Sequence, residues 1–342
     1  MEIKKTTNKG HEIEEALRVY FLGLGFYVLR GVEFSHKTML TTDIDLWLYN
    51  RPSSLTRERI NVDIKNKKNP QATERIFWTK GVQTILGFDN CIVATSDKRP
   101  LIKEFGDKND VIVLDGNFLN KIKEKHSDTR FTEEEFLSEI MKDSLGKLSG
   151  NWTEIVKQEK SSLLSSLDYS GCISSLENIR DFFEYSITMP QRKQSACRVS
   201  YLFISYYLIK LDYLLKDLAF YDNNSRKELL DKGLKYGNFG EKGLKNIITT
   251  AKKLAGLDGS QNLDNQILAE YDKLKTDILG EYFSKYDIVN KLFVFAKKFE
   301  NLAFSKSFEN PNALQLELKS VLSVLLDYFE IKRNIYFDSL DK

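Results

Sequence analysis

Cysteine, histidine and proline are scarce in this chain, and so are long apolar runs and any excess of one charge. The three cysteines, Cys91, Cys172 and Cys197, are too few and too scattered for a disulfide framework or a zinc cluster. The three histidines, His11, His36 and His126, form no metal-ligand spacing. The longest apolar run, Tyr201 to Ile209, gives way to Lys210 and Asp212, well short of the ~20 residues a membrane helix requires. Met1 to Lys5 lacks the apolar core of a secretion signal, so the cytoplasm is the expected compartment and no membrane partner is expected. Net charge is only +2 over 342 residues, which argues against a broad nucleic-acid-coating surface and for a localised grip. The slight positive excess sits early: residues 1–128 hold 21 Lys plus Arg against 18 Asp plus Glu, leaving 30 against 31 for the rest. No period of 20 to 50 residues recurs, so a solenoid is not expected.

Residues 43 to 65 carry the chemistry that is there. In Asp43-Ile44-Asp45-Leu46-Trp47-Leu48 the side chains of a strand alternate, with Ile44, Leu46 and Leu48 on one face and Asp43, Asp45 and Trp47 on the other. In Ile60-Asn61-Val62-Asp63-Ile64-Lys65 the same period sets Ile60, Val62 and Ile64 against Asn61, Asp63 and Lys65. If the two strands pair through the turn around Arg51-Pro52-Ser53-Ser54, the apolar rows make one buried face and the carboxylates converge on the other. Mg²⁺ is a small hard cation that takes oxygen ligands and keeps several waters, so one or two carboxylates plus a phosphate oxygen suffice, and Asp45 and Asp63 could supply them. Lys65, on the face of Asp63, would orient the attacking water and offset charge growing on a phosphate. The plainer alternative is an antiparallel hairpin whose polar face is simply solvated.

The flanking segments add order to this pair. Lys9 to Leu24 reads as an amphipathic helix with Ile13, Leu17, Tyr20, Phe21 and Leu24 on one stripe, followed by a glycine stop and a strand through Phe26-Tyr27-Val28. Ala72 to Leu86 has mixed helical spacing, Cys91 to Thr95 reads as a short buried strand, Val111 to Leu114 as another, and a helix follows from Asn117 to about Lys125. The expected order is helix, three strands, helix, two strands, helix.

That order, with these residues in it, resembles the PD-(D/E)XK nuclease superfamily, and within it the Mrr-type restriction endonucleases. The likeness rests on Gly10, Ile13 and Glu14 in the first helix, Leu24-Gly25-Phe26 and Val28 after it, Asp45 between Ile44 and Leu46, the Asp63-Ile64-Lys65 signature, and Val113-Leu114-Asp115-Gly116 before Leu119. It covers the N-terminal third, without the Pro of the family's first motif and with Asp for the commoner Glu in the second. The resemblance implies an α/β restriction-endonuclease-like domain, a mixed sheet flanked by helices, at residues 1–128. It implies Mg²⁺, with Mn²⁺ able to substitute, held by Asp45 and Asp63 and by Glu14 directly or through water, with the Ile64 carbonyl as a further ligand. Lys65 would be catalytic, and Gln83 in the next helix matches a glutamine that the family often carries near its site. The implied activity is endonucleolytic cleavage of DNA in restriction or phage defence, leaving a 5′ phosphate and a 3′ hydroxyl. RNA or a structured nucleic acid is the alternative substrate, and a nuclease fold that only binds nucleic acid or protein is the alternative class. A homodimer or a partner subunit would be expected of an enzyme that makes double-strand breaks.

Each of these residues has a plainer use. Glu14 stands beside Glu12 and Glu15 near a helix start, where acids complement the macrodipole. Asp43 competes with Asp45 for the ligand role. Lys67 and Lys68 extend the basic run after the signature, where they would hold a nucleic-acid backbone or merely be solvated, and the same holds for the arginines at 51, 57 and 59 near the hairpin loop.

Beyond Arg130 the texture becomes helical throughout, opening on a capping box at Thr132-Glu133-Glu134-Glu135, and residues 129–342 read as an all-α domain serving recognition, regulation or oligomerisation. Its helices are expected near 132–145, 152–166, 173–187, 192–221, 225–235, 240–255, 264–279, 285–304 and 312–330. Gly237 to Gly243 lacks the ending of a phosphate loop and follows no strand. The aromatics Tyr201, Phe203, Tyr206, Tyr207 and Tyr213 could stack bases, although a stripe of this kind is more often core.

Overall fold

A computed structural model describes residues 9–37, 39–122, 129–143, 150–256 and 261–340. The chain divides into two compact units, one of residues 1–138 with 150–164 and one of residues 139–149 with 165–342. The first unit thus extends past the composition change at Arg130 and takes in helical sequence that was expected to belong with the rest of the C-terminal part.

The first unit is built on a five-stranded mixed sheet in the order β1-β2-β3-β4-β5. Helix α1 (Lys9–Gly23) ends at a turn where Gly25 has φ +94°, a conformation that costs glycine no steric strain. Strands β1 (Tyr27–His36), β2 (Met39–Asn50) and β3 (Glu58–Lys65) form an antiparallel meander. In the loop before β3, Arg57 Nη1 donates to the carbonyls of Ser53, Ser54 and Thr56, so this arginine braces the turn. Arg59 is likewise tied back, its side chain donating to the Gly87 carbonyl.

Helix α2 (Ala72–Leu86) stops at Gly87, with φ +65°, and β4 (Asn90–Thr95) returns parallel to β3. Then comes an element absent from the sequence-based order, α3 (Pro100–Lys108), before β5 (Ile112–Leu114) pairs parallel with β4 and α4 (Gly116–Ile122) follows. Parallel neighbours need a crossover, and α3 supplies it. Pro100 opens the helix at a position where its missing N–H costs nothing. Gly106 lets α3 lie tight on the last strand, since a Cβ there would stand 2.4 Å from Val113 Cγ2 and 2.7 Å from the Val111 carbonyl oxygen.

Both faces of the sheet are covered. Ile13, Leu17 and Phe21 of α1 and Leu119 and Ile122 of α4 bury Leu46, Leu48, Ile60, Val62 and Ile64. The opposite face packs Ala72, Ile76 and Ile102 of α2 and α3 on Cys91, Val93 and Val113. The face that bears the carboxylates is therefore roofed by α2, not left as a solvated hairpin surface.

The expected capping box is present at α5 (Glu133–Asp143): Glu135 N–H donates to Thr132 Oγ1 at 3.2 Å, and Thr132 N–H donates to Glu135 Oε2 at 3.1 Å. Helix α6 (Trp152–Ser165) is tied into the same unit by Lys160, whose ammonium donates to the Arg30 carbonyl at 2.7 Å and to Glu133 at 2.8 Å. Burial opposes ionisation of Glu133, but Lys160, Arg18 and Arg30 hold its carboxyl below the usual range.

The second unit is helical: α7 (Tyr169–Thr188), α8 (Lys193–Leu215), α9 (Asn223–Tyr236), α10 (Gly240–Leu254), α11 (Gln261–Asp272), α12 (Thr276–Phe283), α13 (Tyr286–Phe304), α14 (Leu316–Tyr328) and α15 (Arg333–Leu340). The single helix expected at 264–279 is two, separated around Leu274, and α15 lies beyond the expected set. Helix α8 is buried nearly all round, as a central helix should be. Tyr201, Phe203, Tyr206 and Tyr207 are core, with Phe203 meeting Phe182 edge to face at 5.2 Å. Lys210 is also fully buried and donates to the Gly171 carbonyl and Ser175 Oγ. Gly237 to Phe239 form a single 3₁₀ turn between α9 and α10. Among the described residues, no helix is long and apolar enough to cross a membrane.

Candidate active site

Strands β2 and β3 part where the carboxylates lie. Their pairing runs from Asn50↔Glu58 to Leu46↔Val62, and the next residues in that register, Asp45 and Asp63, face each other beyond the last paired position. Across β1 the same row continues to Gly31, which stands between the pairs Arg30↔Leu46 and Val32↔Ile44 and has φ +59°. Across β4 and β5 it continues to Val93 and Val113. One transverse row of the sheet thus brings Asp45 and Asp63 to the same face, as the alternation in the sequence predicts.

Asp45 takes over a backbone function at this fork. Its Oδ2 accepts the Ile64 N–H at 2.5 Å, satisfying a donor directed toward β2 where the ladder has ended. The carboxyl is pushed up to about 6, first by burial. The Ile64 amide works against that rise, the negative charges of Glu14 and Asp43 add to it, and Arg75 opposes it. Glu14, from α1, is therefore close enough to Asp45 to be felt, and it also lies 3.6 Å from Arg30 Nε. Arg30 in turn bonds Glu15 and Glu134, so Glu14 belongs to an ion-pair network that reaches α5.

Asp63, only 9 % exposed, is gripped by a residue that the sequence reading passed over. Arg75 Nε donates to Asp63 Oδ2 at 2.7 Å and Nη2 donates to Oδ1, a two-pronged pairing. Arg75 occupies the fourth position of α2 and its guanidinium lies 5.8 Å from the centre of the Trp78 ring. The backbone there is anchored: Thr79 Oγ1 donates to the Arg75 carbonyl at 2.7 Å, and Asn61 Nδ2 donates to the Thr79 carbonyl at 3.3 Å. Asp43, Asp45, Asn61, Asp63, Trp78 and Thr79 line one narrow cleft. A sequence signal for Arg75 did exist. A cation near the start of a helix runs against the macrodipole, and such local conflicts gather at functional sites.

Lys65 closes β3 on the face of Asp63, half-buried, and its ammonium has no hydrogen bond or ion pair among the described residues. Lys67 and Lys68 lie just past the strand and are exposed. Gln83 is not brought to the acids. Its amide donates to the Asp89 carbonyl at 3.0 Å, its Oε1 accepts from Cys91 Sγ at 3.2 Å, and it sits ~12 Å along α2 from Arg75 at 1.5 Å per residue. Asp115, in the strand-to-helix turn, caps α4 by accepting the Phe118 N–H at 2.8 Å.

Among the described residues no three acidic, histidine or cysteine side chains already form a metal cage. The donors at the fork nonetheless suit a hard cation. They are carboxylate oxygens, and Asp45 is crowded by the negative charges of Glu14 and Asp43, a condition that a divalent ion relieves. At Asp63 such an ion would meet a carboxylate already taken by Arg75. No protein-family model, no curated protein and no solved structure matches this chain.

Proposed function

We propose that this chain is a Mg²⁺-dependent endonuclease acting on DNA, with Mn²⁺ able to substitute, of the PD-(D/E)XK kind and serving restriction or phage defence. The observation that carries the reading is the fork itself, where Asp45 and Asp63 oppose each other at the end of the β2–β3 pairing and Lys65 follows on the same face. Asp45 and Asp63 would hold the cation, with Glu14 and the Ile64 carbonyl as the further oxygens at hand. When bound, the cation supplies Lewis acidity toward a phosphate oxygen and lowers the pKa of water.

The chain's own residues do the rest. Lys65 brings a positive charge to the phosphate as negative charge grows on its oxygens, and aligns the attacking water by hydrogen bonding. The water oxygen forms the new bond to phosphorus while the bond to the 3′ oxygen breaks. The water's proton leaves to solvent and the 3′ oxygen takes one up, giving a 5′ phosphate and a 3′ hydroxyl. The roof of α2 narrows access to the row of acids and limits bulk water there. Lys67 and Lys68, exposed beside the strand end, hold the nucleic-acid backbone.

Incubating the full chain with supercoiled plasmid, linear DNA and structured RNA, each with Mg²⁺, Mn²⁺ or EDTA, tests the proposal. Metal-dependent cutting of DNA that Asp63→Asn lacks is the expected result. Cutting of RNA alone moves the activity to the alternative substrate. Binding without cutting under every condition leaves a non-catalytic binding module.

A further inference from the structure

We propose that Arg75 is a resident counter-cation of Asp63 which a divalent ion must displace, so that the guanidinium sets the metal threshold of the site. This inference rests on the metal-site reading above. Three observations carry it. The guanidinium takes both oxygens of Asp63, the atoms a metal would use. The carboxylate is almost wholly buried, so it needs a positive partner of some kind, and Arg75 and the metal are alternatives for that place. Arg75 also has somewhere to go. Its side chain already lies beside the face of Trp78, a ring half exposed to solvent and bordering an apolar groove with Phe77 and Ile85, where a displaced guanidinium keeps a cation–π contact and regains water.

The backbone that carries Arg75 does not have to move for this exchange. Thr79 and Asn61 hold the first turns of α2 to β3, so the two positions differ by side-chain rotation alone. A Lys at position 75 would keep the charge and lose the fork that matches a carboxylate with two parallel bonds. The resident cation thereby acts in opposition to the external one. It keeps Asp63 neutralised when metal is scarce and yields only when the ion's concentration is high enough to compete.

Calorimetric titration of Mn²⁺ into the full chain, freed of metal beforehand, tests this with wild type, Arg75→Gln, Arg75→Lys and Asp63→Asn, alongside thermal melts with EDTA or Mn²⁺. Arg75→Gln should bind Mn²⁺ roughly tenfold tighter than wild type, the weight of one charge-assisted pair. It should melt lower in EDTA and gain more from Mn²⁺ than wild type does, because the ion now fills a need the arginine filled before. Arg75→Lys should bind with intermediate affinity, and serves if the glutamine variant does not fold. Asp63→Asn should abolish the binding. Equal or weaker binding in both position-75 variants, with wild-type binding still dependent on Asp63, would overturn the inference and leave the metal site standing. No Mn²⁺ binding by any variant or by wild type at millimolar ion would sink both.

Discussion

Replacing Asp45 with Asn should make the protein more stable at neutral pH, and by an amount that depends on pH in a defined way. The carboxyl binds its proton at about 6 in the folded chain, against an ordinary value of 3.8. Between these two values the native state holds more protons than the unfolded state, so stability falls as pH rises from about 4 to about 6, and the loss is complete above that window. A gap of about two pH units, at about 1.4 kcal/mol each, amounts to about 3 kcal/mol. Asn cannot ionise, and its side-chain oxygen can still accept the Ile64 N–H. In EDTA, Asp45→Asn should therefore exceed wild type by up to about 3 kcal/mol at pH 7.5, with the difference vanishing near pH 4. Urea unfolding followed by tryptophan fluorescence is the assay, since Trp47, Trp78 and Trp152 all belong to the first unit and report on it alone. A difference that stays constant with pH, or a variant less stable than wild type at pH 7.5, would refute the reasoning.

Further outcomes follow from the placements described. Lys65→Ala should abolish plasmid cleavage while leaving the melting transition within a degree or so of wild type, because its ammonium bonds nothing among the described residues; a collapsed transition would contradict that. Lys67→Ala with Lys68→Ala should weaken DNA binding and shallow the dependence of log affinity on log salt by up to about 1.8, the contribution of two phosphate contacts. An unchanged slope would show that neither lysine touches phosphate. Gly106→Ala should cost about 1–3 kcal/mol or more, because its Cβ would collide with Val113 and the Val111 carbonyl. The fluorescence-detected unfolding midpoint measures it.

The strongest sequence signals were short-range ones. Alternation around Asp45 and Asp63 foretold their common face, and helical spacing foretold α2 at Ala72–Leu86, because period and side-chain direction are fixed by the backbone itself. Helix α3 is hard to see in the sequence because proline and glycine ordinarily interrupt helices, whereas here Pro100 starts one and Gly106 admits a neighbouring strand. The pair of α11 and α12 read as one helix because nothing at Lys273-Leu274-Lys275 marks a stop. Arg75 escaped for a different reason. Twelve residues separate it from Asp63, and only the packing of α2 over β3 brings the two together. Gln83 stands next to Val82, which lines the cleft, but its own side chain bonds the Asp89 carbonyl and Cys91 Sγ, a partnership that the sequence spacing does not reveal. The aromatics of α8 could be read as surface or core until the neighbouring helices closed around them.

The short bond from the Ile64 amide to Asp45 makes one backbone proton an indicator for the whole cleft. Its resonance should move as the carboxyl ionises, because a charged acceptor draws the proton closer than a neutral one does. Its exchange with solvent reports the opening of the β2–β3 fork, since no other ladder bond lies between it and the strand's parting. Anything that recruits the carboxylate, be it a proton, an ion or a nucleic-acid phosphate bringing its own counter-ions, must loosen or tighten that bond. A single peak in an amide spectrum could thus follow acid, metal and substrate in turn, without a label and without turnover.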